Sequence, residues 1–488
     1  MSSAAESWPR TVWSVADWIT LTGLTVFAGL IRFIGLADPV GFIYDEHFYV
    51  ALACRVQNLA SGACSVPLEI VPHPPLGELL IAAGGRLFGN GVFGWRFFPA
   101  LAGTLTVALA YVLARRLFRS RAAAGLAAFL LAIDFMHFVN SRAALLDIFV
   151  PFFATAAFLC IVLDRDSGGA GRPWFRRPWL ISSGICAGAA IASKWSGFLA
   201  LAGLITVLVW WGVSDRRRQG VANPLDKTIR DLWGPILVAF VVVPAVCNCL
   251  VYIGRIHGSV ISLPWSDGSW LAAWGQEQVR MYRFHTTFAL MTSFRSPAWS
   301  WPLLMRPQPY FFERTAGGDI RWIMAGGSPL VWWSGLLAIV YCGVRWIREK
   351  VPTRAAGFIV IGFLTSYALY VPLSLRRSVW ISYFLPAIPF LCLALGAVLD
   401  DLTRFRWSRT VAVVYAGAAL ALFAFFYPTL TATPLSPYQR ELRIWFDDCG
   451  SPGWHIQFDP TGPIGPQKRI LDSGAPPNGW CWGETRPI

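Results

Sequence analysis

The sequence predicts an all-α integral membrane protein of about eleven helical spans, and three observations carry the prediction. Of its 488 residues, 55% are apolar and only 14% charged, and the mean hydropathy is +0.51; a soluble domain carries about 25% charged residues. The apolar residues fall in runs long enough to cross a bilayer. The 41 Lys and Arg residues, set against 27 Asp and Glu for a net charge of +14, punctuate those runs and are not massed in one tract. That pattern fixes orientation in a membrane and argues against a nucleic-acid partner.

The first run, 18–36, follows a polar segment and has spanning length with no small-residue cleavage site, so it is expected to stay as an anchor. Further spans are expected at 98–114, 122–139, 144–163, 180–193, 196–212, 234–253, 330–344, 355–373, 379–399 and 410–427. An odd number of spans places the termini on opposite faces. With the N-terminus cytoplasmic, the inner loops hold Arg115, Arg116, Arg119, Arg121, Arg165, Arg172, Arg176, Arg177, Arg216, Arg217, Arg218, Lys227 and Arg230. They also hold Arg345, Arg348, Lys350, Arg354, Arg404, Arg406 and Arg409, while the short outer turns hold only Arg142, Lys194, Arg376 and Arg377. Twenty against four predicts N-in, C-out in a cell membrane.

This topology gives a multispan domain over 1–427, with exoplasmic loops at 37–97 and 254–329, and an exoplasmic tail over 428–488. Cys54 and Cys64 fall in the first loop and Cys449 and Cys481 in the tail. An oxidising face allows the disulfides Cys54–Cys64 and Cys449–Cys481, with four free thiols as the alternative that spacing leaves open. The other six cysteines lie in or near apolar spans, and neither they nor the six His form a metal-binding spacing.

Directly after the first span, the run from Gly41 to Tyr49 places Asp45 and Glu46 among Phe42, Ile43, Tyr44, Phe48 and Tyr49. Carboxylates in partly desolvated surroundings are tuned toward general-base work, whereas an ordinary interfacial loop would use the Asp as a helix cap. His73-Pro-Pro then precedes an amphipathic stretch through Ile81 and Leu87, read as a helix lying in the interface. Arg96, Arg142, Asp147 and Lys194 sit at the outer ends of the following spans. Arg142 with Asp147 fits a structural ion pair, and Lys194 fits snorkelling from a helix end. Their grouping beside an acid pair fits instead a lipid phosphate as leaving group and a hydroxyl as nucleophile.

The ordered motifs Asp45-Glu46, His73 to Gly77, Trp95 to Ala100, Ser141 to Asp147 and Lys194 to Gly197 resemble those of the protein O-mannosyltransferases. Trp299-Ser-Trp-Pro-Leu, Arg306-Pro307, Gly327 to Trp333, Arg377 with Tyr383 to Ala387, and the closing Tyr427-Pro-x-Leu-Thr extend the likeness from about residue 20 to 450. The resemblance implies a GT-C glycosyltransferase that takes mannose from a polyprenyl-phosphate mannose and passes it to Ser or Thr hydroxyls of exported polypeptides, which the secretion translocon would deliver. A lipid or surface-polysaccharide acceptor is the alternative.

Carried over by position, Asp45 is the base, Glu46 supports it or holds the acceptor, and His73 and Arg96 shape the first loop. Charge and depth add Arg142, Lys194 and Arg376 or Arg377 as phosphate ligands, with Asp147 beside them and Trp299 and Trp301 as the aromatic residues to watch. One base suffices for an inverting displacement, because a departing lipid phosphate with a second pKa of about 6 needs no proton. A divalent metal would stabilise the same charge, but no ligand cluster demands one. Departures from the pattern are Glu78, where Lys commonly follows the His-Pro-Pro-Leu-Gly motif, Ser382, where His is frequent, and a missing His before Trp299.

Overall fold

The computed structural model describes residues 12–57, 73–169, 172–252, 270–287, 296–348, 354–374, 379–448, 454–459, 467–472 and 479–483. Its helices, in chain order, are α1 (Val15–Phe33), α2 (Glu46–Val56), α3 (Leu76–Phe88), α4 (Val92–Leu117), α5 (Arg121–Ala132), α6 (Phe135–Ser141), α7 (Phe149–Asp166), α8 (Pro178–Ser193) and α9 (Gly197–Arg218). They continue as α10 (Pro224–Leu237), α11 (Val243–Leu250), α12 (Trp270–Thr287), α13 (Pro329–Arg348), α14 (Arg354–Tyr367), α15 (Tyr370–Leu373), α16 (Ile388–Leu402), α17 (Ser408–Phe426), α18 (Pro428–Thr431) and α19 (Pro437–Glu441). Each expected span falls on helix in the expected order. Among the described residues, eight helices are long and apolar enough to cross a membrane, counting as one each α10 with α11 through the π-turn between them, α14 with α15, and α16 with the 3-10 turn Ile381–Ala387 that leads into it. A ninth forms if α5 and α6 are taken together across their 58° bend. The remaining two expected spans fall on α8, which is 16 residues long, and on α7, which ends in Asp164-Arg165-Asp166.

Two features modify the all-helical expectation. The strands β1 (Gln308–Arg314) and β2 (Ile320–Ala325) pair antiparallel in the large loop, and β3 (Trp454–Asp459) pairs with β4 (Gln467–Asp472) in the tail. The span expected at 144–163 also begins later: residues 144–148 are not helical, which leaves Asp147 in a turn ahead of α7.

The bend in the third span has an identifiable cause. Asp134 caps α6 by accepting from the His137 amide at 3.0 Å, and the Trp332 indole on α13 donates to its other oxygen at 2.7 Å. A capping side chain inside an apolar run ends one helix and starts another at a new angle. The redirected α6 carries Asn140, Ser141 and Arg142 toward the end of α1.

Close helix contact is set by small residues. A Cβ on Gly84 would collide with the carbonyl of Gly94, so α3 can lie against α4 only with glycine at this position. Gly184 has the same relation to the Ala239 carbonyl, which sits in the π-turn joining α10 to α11. The tail folds back: Trp482 donates to the Leu304 carbonyl at 2.7 Å, Cys481 N to the Met305 carbonyl at 2.8 Å, and Leu435 bridges Ile320 on β2.

Candidate active site

Asp45 occupies the position before α2, where the chain turns away from the end of α1. Tyr44, just ahead of it, holds a left-handed backbone at φ 48°. This is uncommon for a bulky residue and persists only where the surroundings enforce it. Three contacts do so. Tyr44 N donates to the Tyr310 carbonyl at 2.9 Å, the two rings stack 4.6 Å apart at 3°, and His47 Nδ1 lies 2.8 Å from the Tyr44 carbonyl. The β1 strand thereby fixes where Asp45 points.

No hydrogen-bond donor among the described residues reaches the Asp45 carboxylate, although two charged groups act on it. Burial pushes its pKa up to about 7, with Lys194 pulling down and Asp147 pushing up. Lys194 Nζ bonds both Asp147 oxygens at 2.9 Å and lies 5.0 Å from the centre of the Tyr383 ring. An ammonium has three N–H donors, so one remains after Asp147 is satisfied.

Tyr310 completes this wall. Its hydroxyl donates to Asn140 Oδ1 at 3.2 Å and interacts with Ser382; burial, with Asp147 and Asp45 adding to it, raises its pKa well above the usual value. It therefore stays a neutral donor. Neither Tyr310 nor Asn140 was singled out in the sequence. The available signal was the aromatic run Gln308-Pro-Tyr-Phe-Phe after Arg306-Pro307, which the pairing with β2 shows to be a strand.

Several expected ligands are occupied elsewhere. Glu46, expected as the second catalytic acid, is buried and accepts from Arg96 Nε at 2.7 Å and from its terminal nitrogen at 2.8 Å, from Ile43 N at 2.8 Å and from Ala144 N at 2.7 Å. Both its oxygens are taken. Arg96 spends its other N–H groups on the carbonyls of Leu36, Pro39 and Gly41. Arg142, expected to hold phosphate, instead caps α1: it donates to the carbonyls of Arg32, Ile34 and Gly35 at 2.7 Å and of Ile31 at 3.2 Å. The end of a helix leaves such carbonyls without partners, and a buried guanidinium is well suited to them.

His73 is buried, with its ring 6.1 Å from that of Tyr49 and 5.3 Å from that of His285; His285 also lies 5.6 Å from Trp195. This aromatic group ties the first loop to α12 and to the turn that holds Lys194. Trp301 is fully buried, donates to Ser296 and packs among Tyr367, Tyr370 and Tyr383, whereas Trp299 is 52% exposed. Only Trp299 is open to a ligand. Glu78 is buried in the first turn of α3. Arg376, Arg377, Cys64 and Cys449 lie outside the described residues; Cys54 and Cys481 are disulfide-bonded, and the other six cysteines are free thiols. No group of three or more metal-ligating side chains comes together among the described residues.

Residues 90–257 match the family described as dolichyl-phosphate-mannose-protein mannosyltransferase, and residues 270–449 match the C-terminal four-transmembrane region of protein O-mannosyltransferases. The chain belongs to the protein O-mannosyltransferase family. It is 28% identical to the polyprenol-phosphate-mannose–protein mannosyltransferase of Mycolicibacterium smegmatis, over 90% of this chain and 93% of that protein. The protein of the same name from Corynebacterium glutamicum is 26% identical, over 91% and 95%. The fold is GT-C: the S. cerevisiae protein O-mannosyltransferase Pmt1-Pmt2 complex bound to the sugar donor superposes with a TM-score of 0.73 at 16% identity, covering 89% of this chain and 93% of that one. ArnT from Cupriavidus metallidurans bound to undecaprenyl phosphate gives 0.54 at 18% identity, over 85% and 66%. Both likenesses concern the fold. In this family member, the Asp45 wall lies where the first loop, the turns before α7 and after α8, and the large loop converge.

Proposed function

We propose that this chain transfers mannose from a polyprenyl-phosphate mannose to Ser or Thr hydroxyls of exported polypeptides, in a single inverting displacement with Asp45 as base. The names of relatives spanning nine-tenths of the chain support donor and acceptor, and the observation that carries the mechanism is an Asp45 carboxylate that no donor among the described residues reaches, beside Lys194 and Asp147, where burial pushes its pKa up to about 7. A base poised near the working pH is ionised in useful proportion and still accepts a proton. Asp45 takes the acceptor hydroxyl proton as that oxygen bonds to C1 of the sugar. The C1–O bond to the lipid phosphate breaks, and its electron pair leaves with the phosphate.

The leaving dianion needs a fixed positive charge in a site with little water. Lys194 supplies one through its remaining N–H, and Arg376 or Arg377 a second. Tyr310, held neutral, orients the acceptor or the sugar by a hydrogen bond. Trp299 is the aromatic surface for the acceptor. The basic loops support a cytoplasmic N-terminus, which puts this wall on the exoplasmic side where the secretion translocon delivers unfolded chain.

The test uses purified protein with radiolabelled polyprenyl-phosphate mannose and either a Ser/Thr-rich exported peptide or a lipid extract. Label on peptide with wild type and none with Asp45→Asn is the expected result. Label moving to the lipid extract would keep the base and overturn the acceptor; equal transfer by the Asn variant would sink the mechanism.

A further inference from the structure

On the face of the bundle opposite Asp45, a cavity of about 470 Å³ lies between the start of α1, the start of α5, the end of α16 and the start of α17. That is the size range of small-ligand sites, about 300–1,000 Å³. Its lining mixes Arg121 and Arg409 with the hydroxyls of Thr20, Ser120, Thr403 and Ser408 and with the apolar Leu399 and Ala412. The two threonine hydroxyls are committed as donors, to the carbonyls of Ala16 and Asp400 respectively. The two guanidinium groups are the charged donors of the lining.

The charged residues that line this cavity are both positive. Asp17 accepts from Arg121 Nε at 3.1 Å and from Arg115 Nε at 2.7 Å. Asp400, next to Leu399 on α16, is held by the amides of Ser120 at 2.7 Å and Arg119 at 3.3 Å. Arg409 is exposed and has no ion-pair partner among the described residues. An anion fits this wall. Position says which anion: α1 and α17 are the least buried of the spanning helices, with 17% of each spanning window buried against 83% for the segment containing α16. Val411, Val413 and Val414 at the start of α17 and Ile19 on α1 are exposed on these lipid-facing helices. A ligand here has a phosphate among arginines and hydrocarbon along two outer helices.

We propose that this cleft binds the phosphate headgroup of an anionic lipid drawn from the leaflet opposite the active site. The inference does not rest on the transfer reaction, since none of its residues belongs to the Asp45 wall. A bound lipid would bridge α17 to α1 and α5, where the two outer helices otherwise have little protein to pack against.

The test is native mass spectrometry of the full chain in neutral detergent, titrated with phosphatidylglycerol or with phosphatidylcholine of the same acyl chains. Each arginine near a charged headgroup is worth about fivefold in binding. Wild type is expected to hold phosphatidylglycerol about fivefold or more over phosphatidylcholine, and Arg409→Gln to remove about fivefold of that preference, with Arg409→Lys restoring most of it. Ala412→Trp, which fills the space and leaves both arginines, is expected to lower binding too. Equal retention of the two lipids, or binding unchanged in both Arg409→Gln and Ala412→Trp, would overturn the proposal. Loss of the bound lipid to millimolar inorganic phosphate would assign the site to the free anion and overturn the lipid.

Discussion

The wall that carries Asp45, Lys194 and Tyr310 and the group beside it, built from Glu46, Arg96 and Arg142, each set a carboxylate among cationic side chains. They differ in how fully their polar groups are partnered. Beside the wall, Glu46 accepts four hydrogen bonds, and Arg96 and Arg142 together reach seven carbonyls of residues 31–41. On the wall, the Asp45 carboxylate accepts none among the described residues and Lys194 keeps a donor. Buried charges that are fully partnered hold a backbone in place. Charges with capacity left over are the ones that can meet a substrate.

Exchanging one atom in each acid breaks the comparison most directly. Asp45→Asn is expected to lower transfer by about 10²–10⁴-fold, the usual contribution of a general base, with the thermal unfolding temperature unchanged. Glu46→Gln is expected to act the other way round. It leaves the Arg96 guanidinium buried beside a neutral group, which costs about 3–5 kcal/mol of stability, read as a lower unfolding temperature and poor recovery from membranes. The comparison fails if the two variants show the same loss of stability.

The sequence made some of this legible and hid the rest for physical reasons. Apolar length is a local property, so the spanning helices were readable in order, as was the acid pair that follows α1. Partnering is not local. Arg142 caps carbonyls 107 to 111 positions earlier in the chain, and Asp134 breaks its span with help from a tryptophan 198 residues away. A cation at the outer end of a span looks the same in sequence whether it faces a phosphate or a helix end. The β1–β2 hairpin was missed inside a loop bounded by spans, and with it Tyr310, the residue that stacks on Tyr44 and reaches Asn140.

Tyr310 sharpens the comparison because its ring and its hydroxyl serve the two regions separately. The ring, stacked on Tyr44, belongs to the support; the hydroxyl, on Asn140 and beside Ser382, belongs to the wall. Tyr310→Phe is expected to lower kcat/KM by about tenfold, since one hydrogen bond is worth about 1 kcal/mol and somewhat more in a dry site. Its unfolding temperature should match wild type. Tyr310→Ala removes the stack as well, and a large stability loss confined to that variant would confirm the division.

The smallest effect concerns the pH dependence of transfer. Asp45 must be ionised to act as base, so activity falls as pH drops below its pKa near 7. Asp147 raises that pKa and Lys194 lowers it. Asp147→Asn removes the first influence and leaves the second, and the ammonium no longer has a carboxylate to neutralise it. Both changes favour the charged form of Asp45, and the acidic limb of the rate profile should move to lower pH. Asp147 lies 2.9 Å from Lys194, so a loss of donor binding is expected as well and would appear in KM at every pH. The limb in kcat/KM separates the two. If it stays fixed while KM changes, Asp147 serves only to place the lysine, and Asp45 owes its raised pKa to burial with Lys194 opposing it.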